Sequence, residues 1–177
     1  HIENKLKKDR QWVLDKVYES VSYAKDHGFY ISCNGEDSSR ADIDFLIDFV
    51  KTAKEAGADR FRYCDTIGRE QPFSVYDRIK RIIDETGADV EMHMHDDYGM
   101  ATANCIAGIH AGARFASTTV MGIGERSGNS PLEEVVMSAK HLCDIDAGID
   151  TRLLRKLAIF VSNASGRPIH VSKPFLG

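Results

Sequence analysis

Two histidines placed two residues apart carry the clearest chemical signal in the sequence. They lie in the stretch VEMHMHDDYG, in which Glu91 precedes His93 and His95, and Asp96 and Asp97 follow. Side chains two apart in a β-strand share a face, so Glu91, His93 and His95 would point to one side of a sheet. Neutral imidazole is the commonest protein metal ligand, and two on one face can bind a single ion. The pattern predicts a strand that lines a metal site.

These residues also permit plainer structural interpretations. The two histidines could form a hydrogen-bonded pair, and Glu91 could be either an orienting group behind them or a buried base. Asp96 could equally cap a helix. Three further polar groups could be simple salt bridges, turns or loop pairs, namely Glu36 with Asp37 and Arg40, Asp65 with Thr66, and Glu125 with Arg126. Their role therefore depends on where the secondary structure places them.

A pattern of helix, glycine and short β-prone run recurs four times along the chain. The runs start roughly 25–32 residues apart, near Phe29, Phe61, Val90 and Phe115, and the glycines before them, predicted as helix C-terminal caps, are Gly28, Gly57, Gly87 and Gly112. Strands that alternate with helices predict parallel pairing, as in a doubly wound sheet or a (β/α)₈ barrel. No G-x-G-x-x-G follows the first run, so the usual support for a dinucleotide fold is missing and the barrel is favoured.

Four such units amount to half of a (β/α)₈ barrel, which usually needs about 250 residues. We therefore expect residues 1–150 to form the C-terminal half of a TIM-barrel catalytic domain, with strands five to eight and their helices. Residues 151–177 are expected to supply one more helix and the start of an extended linker. A true half barrel is the alternative to a fragment, and the fragment is favoured. Inward residues such as Tyr63 and Val120 would then lack a partner layer, so the isolated chain should associate.

Two helix boundaries can be predicted from local sequence. The first helix is expected over Asp9 to Asp26. A later helix should begin at about Pro131, because Ser130 and Glu133 have the spacing of a capping box. Three glycines just before this helix permit a tight loop, namely Gly122, Gly124 and Gly128.

Composition and charge exclude several classes of partner. Hydrophobic content of 42% and charged content of 28% are ordinary for a globular domain. The formal net charge of −4 gives no reason to propose nucleic acid or an anionic membrane as partner. No apolar run approaches the roughly 20 residues of a membrane span, and the charged start HIENKLKKDR has no signal core. The four cysteines lack C-x-x-C spacing, which favours reduced thiols in a cytoplasmic protein.

Polar residues gather where the predicted strands end, which is where parallel barrels keep their chemistry. The four strand ends carry, in chain order, GEDSSR, DTIG, H-x-HDD-x-G-x-A-x-AN and GIGERSGNxxLEE. Together these motifs resemble those of the acyl-CoA-dependent aldol synthases of the homocitrate synthase and 2-isopropylmalate synthase family, and the resemblance covers the whole chain. It implies a (β/α)₈ barrel and a reaction that condenses acetyl-CoA with a 2-oxo acid. It also implies a divalent cation (Mg²⁺, Mn²⁺ or Zn²⁺), small-molecule substrates and a homodimer.

The resemblance assigns roles to individual residues. His93 and His95 match the metal ligands, with Asn129 close to the ion. Thr66 and Glu36 match positions that contact or orient the oxo acid. The remaining matched positions are Glu91, which corresponds to a glutamate beside the histidines in homocitrate synthases, and the expected co-substrate contacts Gly124, Arg126 and Gly128.

Two departures from the family pattern affect what this chain can do alone. The family's first strand carries an aspartate that completes the metal site beside a catalytic arginine, and no such strand is present. The segment supplying the family's downstream histidine is also absent. We therefore expect the full-length protein to be an acyltransferase and this chain alone to be inactive.

The identity of the 2-oxo acid is the finer question. Asp96, in place of the asparagine usual in isopropylmalate synthases, leans toward bacterial homocitrate synthases, as do the segments NGEDSSR and ASGRPI. Ser32 replaces the arginine with which lysine-pathway homocitrate synthases meet the distal carboxylate. We predict 2-oxoglutarate, with a 2-isopropylmalate or citramalate synthase as the alternative. An H-x-H metallohydrolase and a non-catalytic half-barrel interaction module are more distant alternatives.

Overall fold

Four parallel strands form the centre of the structure, a computed structural model that describes residues 2–176. In chain order they are β1 (Ser32–Gly35), β2 (Arg60–Asp65), β3 (Val90–Met94) and β4 (Phe115–Ser117), and they form one sheet in that same order. Each neighbouring pair is parallel. The predicted α/β architecture with a parallel sheet is therefore confirmed. Within residues 2–176, β1 and β4 are each paired with a strand on one side only.

Between residues 2 and 176, six α-helices accompany the sheet: α1 (Arg10–Asp26), α2 (Ile43–Glu55), α3 (Pro72–Thr86), α4 (Ala101–His110), α5 (Leu132–Leu142) and α6 (Leu154–Ser165). The first begins as predicted, because the Asp9 carboxylate accepts a hydrogen bond from the backbone N–H of Trp12. Gly87 ends α3 in the left-handed conformation that favours glycine. No helix within residues 2–176 has both the length and the apolar character needed to cross a membrane.

The two faces of the sheet differ in polarity. One face packs beneath α2, α3 and α4 and is fully buried, with Phe61, Tyr63, Val90, Met92 and Met94 in the core. The opposite face carries polar side chains, because strand register places Arg62 beside Glu91 and Cys64 beside His93. The predicted inward position of Tyr63 is wrong. Its hydroxyl donates to Glu70 and accepts from Arg78 of α3, so the ring lies on the helix side.

Two other local predictions need correction. β1 begins at Ser32 rather than near Phe29, and the Phe29 and Tyr30 side chains are exposed. The predicted capping box at Ser130 is absent. The Ser130 hydroxyl instead donates to the backbone carbonyl of Ala101, and the Glu133 carboxylate accepts from the backbone N–H of Met121. Tertiary contacts of Ser130 and Glu133 thus override the local capping motif.

The segment after α6 does not extend away from the domain as predicted. Leu176 is buried against Leu154 and Ala158 of α6, and its carbonyl accepts a hydrogen bond from Arg155. Lys173 forms an ion pair with Glu134 of α5 at 2.7 Å. These contacts fold the tail back onto α5 and α6. Its predicted role as a linker to a further region is not tested by them.

Candidate functional site

His93 occupies the carboxyl end of β3 on the polar face of the sheet. Its Nδ1 lies 3.1 Å from the hydroxyl of Ser117, which is its register partner on β4. Burial, together with the neighbouring His95 and the positive charge of Arg62, lowers the pKa of His93. The ring is therefore neutral at physiological pH, and the contact to Ser117 leaves Nε2 available as a ligand atom.

His95 and Asn129 meet directly beyond the end of β3. Their backbones form an isolated antiparallel bridge, and the Asn129 side chain lies 3.5 Å from the carbonyl of Met94. His95 is 7% exposed, and its Nδ1 has no hydrogen-bond partner within the described residues. The rings of His93 and His95 lie 5.3 Å apart and edge to face. The structure thus brings together all three residues predicted to bind the metal.

The glycine-rich loop is shaped by its contact with Asn129. A Cβ on Gly124 would lie 2.9 Å from Asn129 Cγ and closer still to Oδ1, so only glycine permits this approach. Gly128 has a φ of 99°, and a Cβ there would collide with the carbonyl of Gly122. Both glycines therefore have a structural reason to be present. Their predicted contact with a co-substrate remains a prediction.

Arg126 joins the ends of three strands. Its guanidinium donates two hydrogen bonds of 2.8 Å to Asp97, and one of 2.7 Å to the backbone carbonyl of Thr66. The hydroxyl of Thr66 in turn accepts from the backbone N–H of Asp37 at 2.8 Å. These bonds tie the loops after β1, β2 and β3 to the glycine-rich loop after β4. The predicted pairing of Arg126 with Glu125 is a longer contact of 3.7 Å.

Glu91 lies deeper on the same face, between two arginines. Its carboxylate is 2.6 Å from Nε of Arg60 and 2.7 Å from Nε of Arg62, and Ser32 donates a longer bond of 3.4 Å. It makes no hydrogen bond to either histidine among the described residues. Of the two predicted roles, orienting group and buried base, the contacts favour an orienting group, directed at the arginines.

Glu36 and Asp96 differ in their surroundings, since Glu36 is exposed without a partner among the described residues and Asp96 is hydrogen-bonded. Glu36 is exposed just beyond β1 and has no hydrogen bond or ion pair within residues 2–176. Asp96 accepts a hydrogen bond of 2.9 Å from the backbone N–H of Ala101, the first residue of α4, although the N-cap position itself is occupied by Met100. Burial is the main cause of the raised pKa of Asp96.

The donor atoms present fit part of a divalent metal site. His93 and His95 offer nitrogen atoms, one of which is buried without a partner, and Asn129 offers an amide oxygen next to them. Cys64, the register partner of His93, is unsuitable, because burial raises the pKa of its thiol to about 12. No group of three or more His, Cys, Asp or Glu residues arranged for a metal occurs between residues 2 and 176. Further ligands would have to come from water, a substrate or another segment.

Three residues of this face were not identified from the sequence. Ser117 supports His93, and Arg60 and Arg62 surround Glu91. The alternation of Arg60, Arg62 and Cys64 along β2 was a visible signal that these side chains share one face. The register that sets them beside Glu91 and His93 is a tertiary feature, and alternation alone does not give it.

Comparison with known proteins identifies relatives of two activities. The chain is 54% identical to 2-isopropylmalate synthase 2 of Caldanaerobacter subterraneus subsp. tengcongensis over 177 residues, which is all of this chain and 46% of that protein. It is 47% identical to homocitrate synthase 1 of Nostoc sp. over 169 residues, covering 94% of this chain and 45% of that protein. The chain thus spans about half the length of the curated relatives it matches.

A similar solved structure and a matching family model agree with these relatives. The structure resembles that of the HMG-CoA lyase of Bacillus subtilis with a TM-score of 0.80 and 20% sequence identity, over 96% of this chain and 61% of the lyase. That similarity concerns the fold alone. The HMGL-like family matches residues 1–161. The chain therefore belongs to the HMGL-like family, within its homocitrate synthase and 2-isopropylmalate synthase group.

Proposed function

We propose that this chain forms part of the catalytic domain of an acyltransferase that condenses acetyl-CoA with a 2-oxo acid and releases free CoA. The observation that carries the proposal is the convergence of His93, His95 and Asn129 at the carboxyl edge of the sheet. The relatives named as 2-isopropylmalate and homocitrate synthases support the reaction class. The chain is proposed to be the C-terminal half of a TIM barrel, with strands five to eight.

His93, His95 and Asn129 are proposed to hold a divalent cation, either Mg²⁺, Mn²⁺ or Zn²⁺. A bound cation would act as a Lewis acid toward the ketone of the oxo acid. The chain's own contribution at His93 is to present a neutral imidazole. The contact with Ser117 fixes the ring of His93, and burial keeps it unprotonated. Both effects leave Nε2 of His93 available as a ligand atom.

Thr66 and Glu36 are proposed to contact or orient the oxo acid. The hydroxyl oxygen of Thr66 already accepts a bond from Asp37, so its hydrogen is available to donate to a carboxylate oxygen. The carboxylate of Glu36 is unpaired among the described residues and exposed at the same edge of the sheet. Glu91 is proposed to act from beneath the site by fixing Arg60 and Arg62.

Acetyl-CoA is proposed to bind beside the glycine-rich loop, with contacts to Gly124, Arg126 and Gly128. The half-exposed guanidinium of Arg126 is the cationic group of this loop, and its bonds to Asp97 fix it at the rim. The further partners we propose are small molecules and a second copy of the protein, in the cytoplasm. Neither nucleic acid nor a membrane is proposed as a partner.

The preferred oxo acid is proposed to be 2-oxoglutarate, which would make the product homocitrate. The 54% identity to a 2-isopropylmalate synthase favours a second candidate, 2-isopropylmalate synthase activity on 2-oxoisovalerate. A third relative, a putative (R)-citramalate synthase of Methanopyrus kandleri, is 40% identical and adds pyruvate to the set to be tested.

Release of free CoA by the full-length protein tests this proposal. Acetyl-CoA is supplied with 2-oxoglutarate, 2-oxoisovalerate or pyruvate in the presence of each cation. We expect release with at least one acid and the highest kcat/KM with 2-oxoglutarate. A tenfold or greater preference for 2-oxoisovalerate would assign 2-isopropylmalate synthesis instead, and no release with any acid would refute the reaction class.

A further inference from the structure

The polar face of the sheet carries an excess of positive charge beneath the histidines. Arg60 and Arg62 both project from β2, and Glu91 is the only carboxylate that the four described strands place on this face. Its two oxygens are each engaged, Oε2 by Arg60 and Oε1 by Arg62. One guanidinium charge is therefore left without a matching carboxylate, at a depth where water screens it only partly.

The two arginines are not equivalent. The Arg60 guanidinium lies over the rings of Phe115, at 4.8 Å, and Tyr30, at 5.6 Å, which occupy its faces. Arg62 is nearer the carboxyl end of β2, and its side chain is 28% exposed. Only its Nε has a hydrogen-bond acceptor in the described part of the chain. Its two terminal nitrogens therefore remain as a free pair of donors.

Strand register places Arg62 at a fixed step from the metal-binding end. Arg62 is the register partner of Glu91, and Cys64 is the register partner of His93. Arg62 therefore lies two residues along the strand direction from the position of His93. Two residues of strand span about 6.6 Å. A substrate whose oxo group lies at His93 would therefore extend its far end toward Arg62. The influence of Arg62 on the pKa of His93 agrees with this proximity.

The surrounding side chains favour a charged rather than an apolar far end. Asn34 is the register partner of Arg62 on β1, and Ser32 contacts Glu91 from the same strand. An aliphatic group placed there would leave the terminal nitrogens of Arg62 without an acceptor, whereas a carboxylate can accept hydrogen bonds from them. Ser32 does not itself supply a cation, so this arginine on the neighbouring strand takes that role.

We propose that Arg62 is the specificity-determining residue of this site. Its terminal nitrogens bind the distal carboxylate of a dicarboxylic 2-oxo acid whose oxo end lies at His93 and His95. This inference rests on the proposed function and adds the residue that recognises the substrate class. Glu91 orients the guanidinium through Nε and leaves the outer pair of nitrogens directed at the ligand.

Steady-state kinetics of full-length Arg62→Gln test the proposal, with 2-oxoglutarate and the monocarboxylic 2-oxoisovalerate as substrates. Loss of a charge-assisted bond is expected to raise KM for 2-oxoglutarate about tenfold or more and to change kcat little. KM for 2-oxoisovalerate should stay the same or fall. Arg62→Lys keeps the charge and should show a smaller rise, which separates charge from folding. Arg114→Gln, at an exposed pair with Asp89, is the matched control and should match the unsubstituted protein.

Equal effects of Arg62→Gln on both acids, or an unchanged KM for 2-oxoglutarate, would overturn the proposal. Failure of the proposed function gives a different result, because the unsubstituted protein would then release no CoA with any acid. Titration calorimetry with 2-oxoglutarate needs no turnover and tests Arg62 in that case as well. Weaker binding to Arg62→Gln supports the assignment, and equal or absent binding in both proteins contradicts it.

Discussion

The contact between Gly124 and Asn129 allows the geometry of the site to be tested through stability. Gly124→Ala places a Cβ 2.9 Å from Asn129 Cγ and 3.1 Å from the Asn129 backbone nitrogen, with Oδ1 closer than either. The φ of Gly124 is not positive, so alanine is acceptable to the backbone and the penalty is steric. Overpacking of this kind costs about 1–3 kcal/mol.

The collision involves mainly the Asn129 side chain, so a second substitution should relieve it. Asn129→Ala removes Oδ1 and Cγ and loses one long hydrogen bond of 3.5 Å, at a cost of about 1 kcal/mol. The double variant should therefore be scarcely less stable than Asn129→Ala alone. The expected coupling free energy is about 1–2 kcal/mol, well above the scatter of independent sites.

Urea unfolding of the full-length protein, followed by circular dichroism, measures these free energies. Gly124→Ala combined with His141→Ala, at the exposed end of α5, is the control pair and should be additive. Additive effects of Gly124→Ala and Asn129→Ala, within about 0.5 kcal/mol, would refute the close approach that the structure assigns to this loop.

Two further predictions concern the rim and the sheet edges. Arg126→Ala should lower the urea midpoint at neutral pH, because Asp97 loses its bidentate partner. Since Arg126 lowers the pKa of Asp97, the stabilisation it gives is present above the unfolded pKa of about 3.9 and is lost as pH falls through the folded pKa. The midpoints of the two proteins should therefore converge in acid, and a difference that stays constant with pH would contradict the pairing. The isolated chain of residues 1–177 should associate, because β1 and β4 each leave one edge unpaired; light scattering should show species larger than a monomer, and a monodisperse monomer that melts cooperatively would show this to be wrong.

The sequence allowed prediction of the features that depend on local pattern. Helix–glycine–strand periodicity located the four strands, although it placed the start of β1 too early, and the alternation around His93 and His95 assigned one face of β3 to a site. Strand ends rich in polar residues identified the edge at which the histidines and Asn129 now meet.

Features that depend on register and tertiary contacts could not be predicted in this way. The ion pairs of Glu91 depend on how β2 aligns with β3. This alignment places Arg60 and Arg62 at the site, which the sequence alone did not predict. Ser130 and Glu133 had the spacing of a cap, but each bonds to a distant segment instead. Tyr63 was assigned to the wrong face, because alternation gives two faces without saying which one the helices cover.

Metal-dependent turnover in the histidine variants is the most direct test of the central claim that His93 and His95 hold a divalent cation for the condensation. The full-length protein is stripped with a chelator, and release of CoA is followed as Mg²⁺, Mn²⁺ or Zn²⁺ is returned. Turnover should vanish on stripping and recover with a cation in the unsubstituted protein and in His141→Ala, but not in His93→Ala or His95→Ala. Full activity in a chelator-treated double variant of His93 and His95 would contradict the metal role.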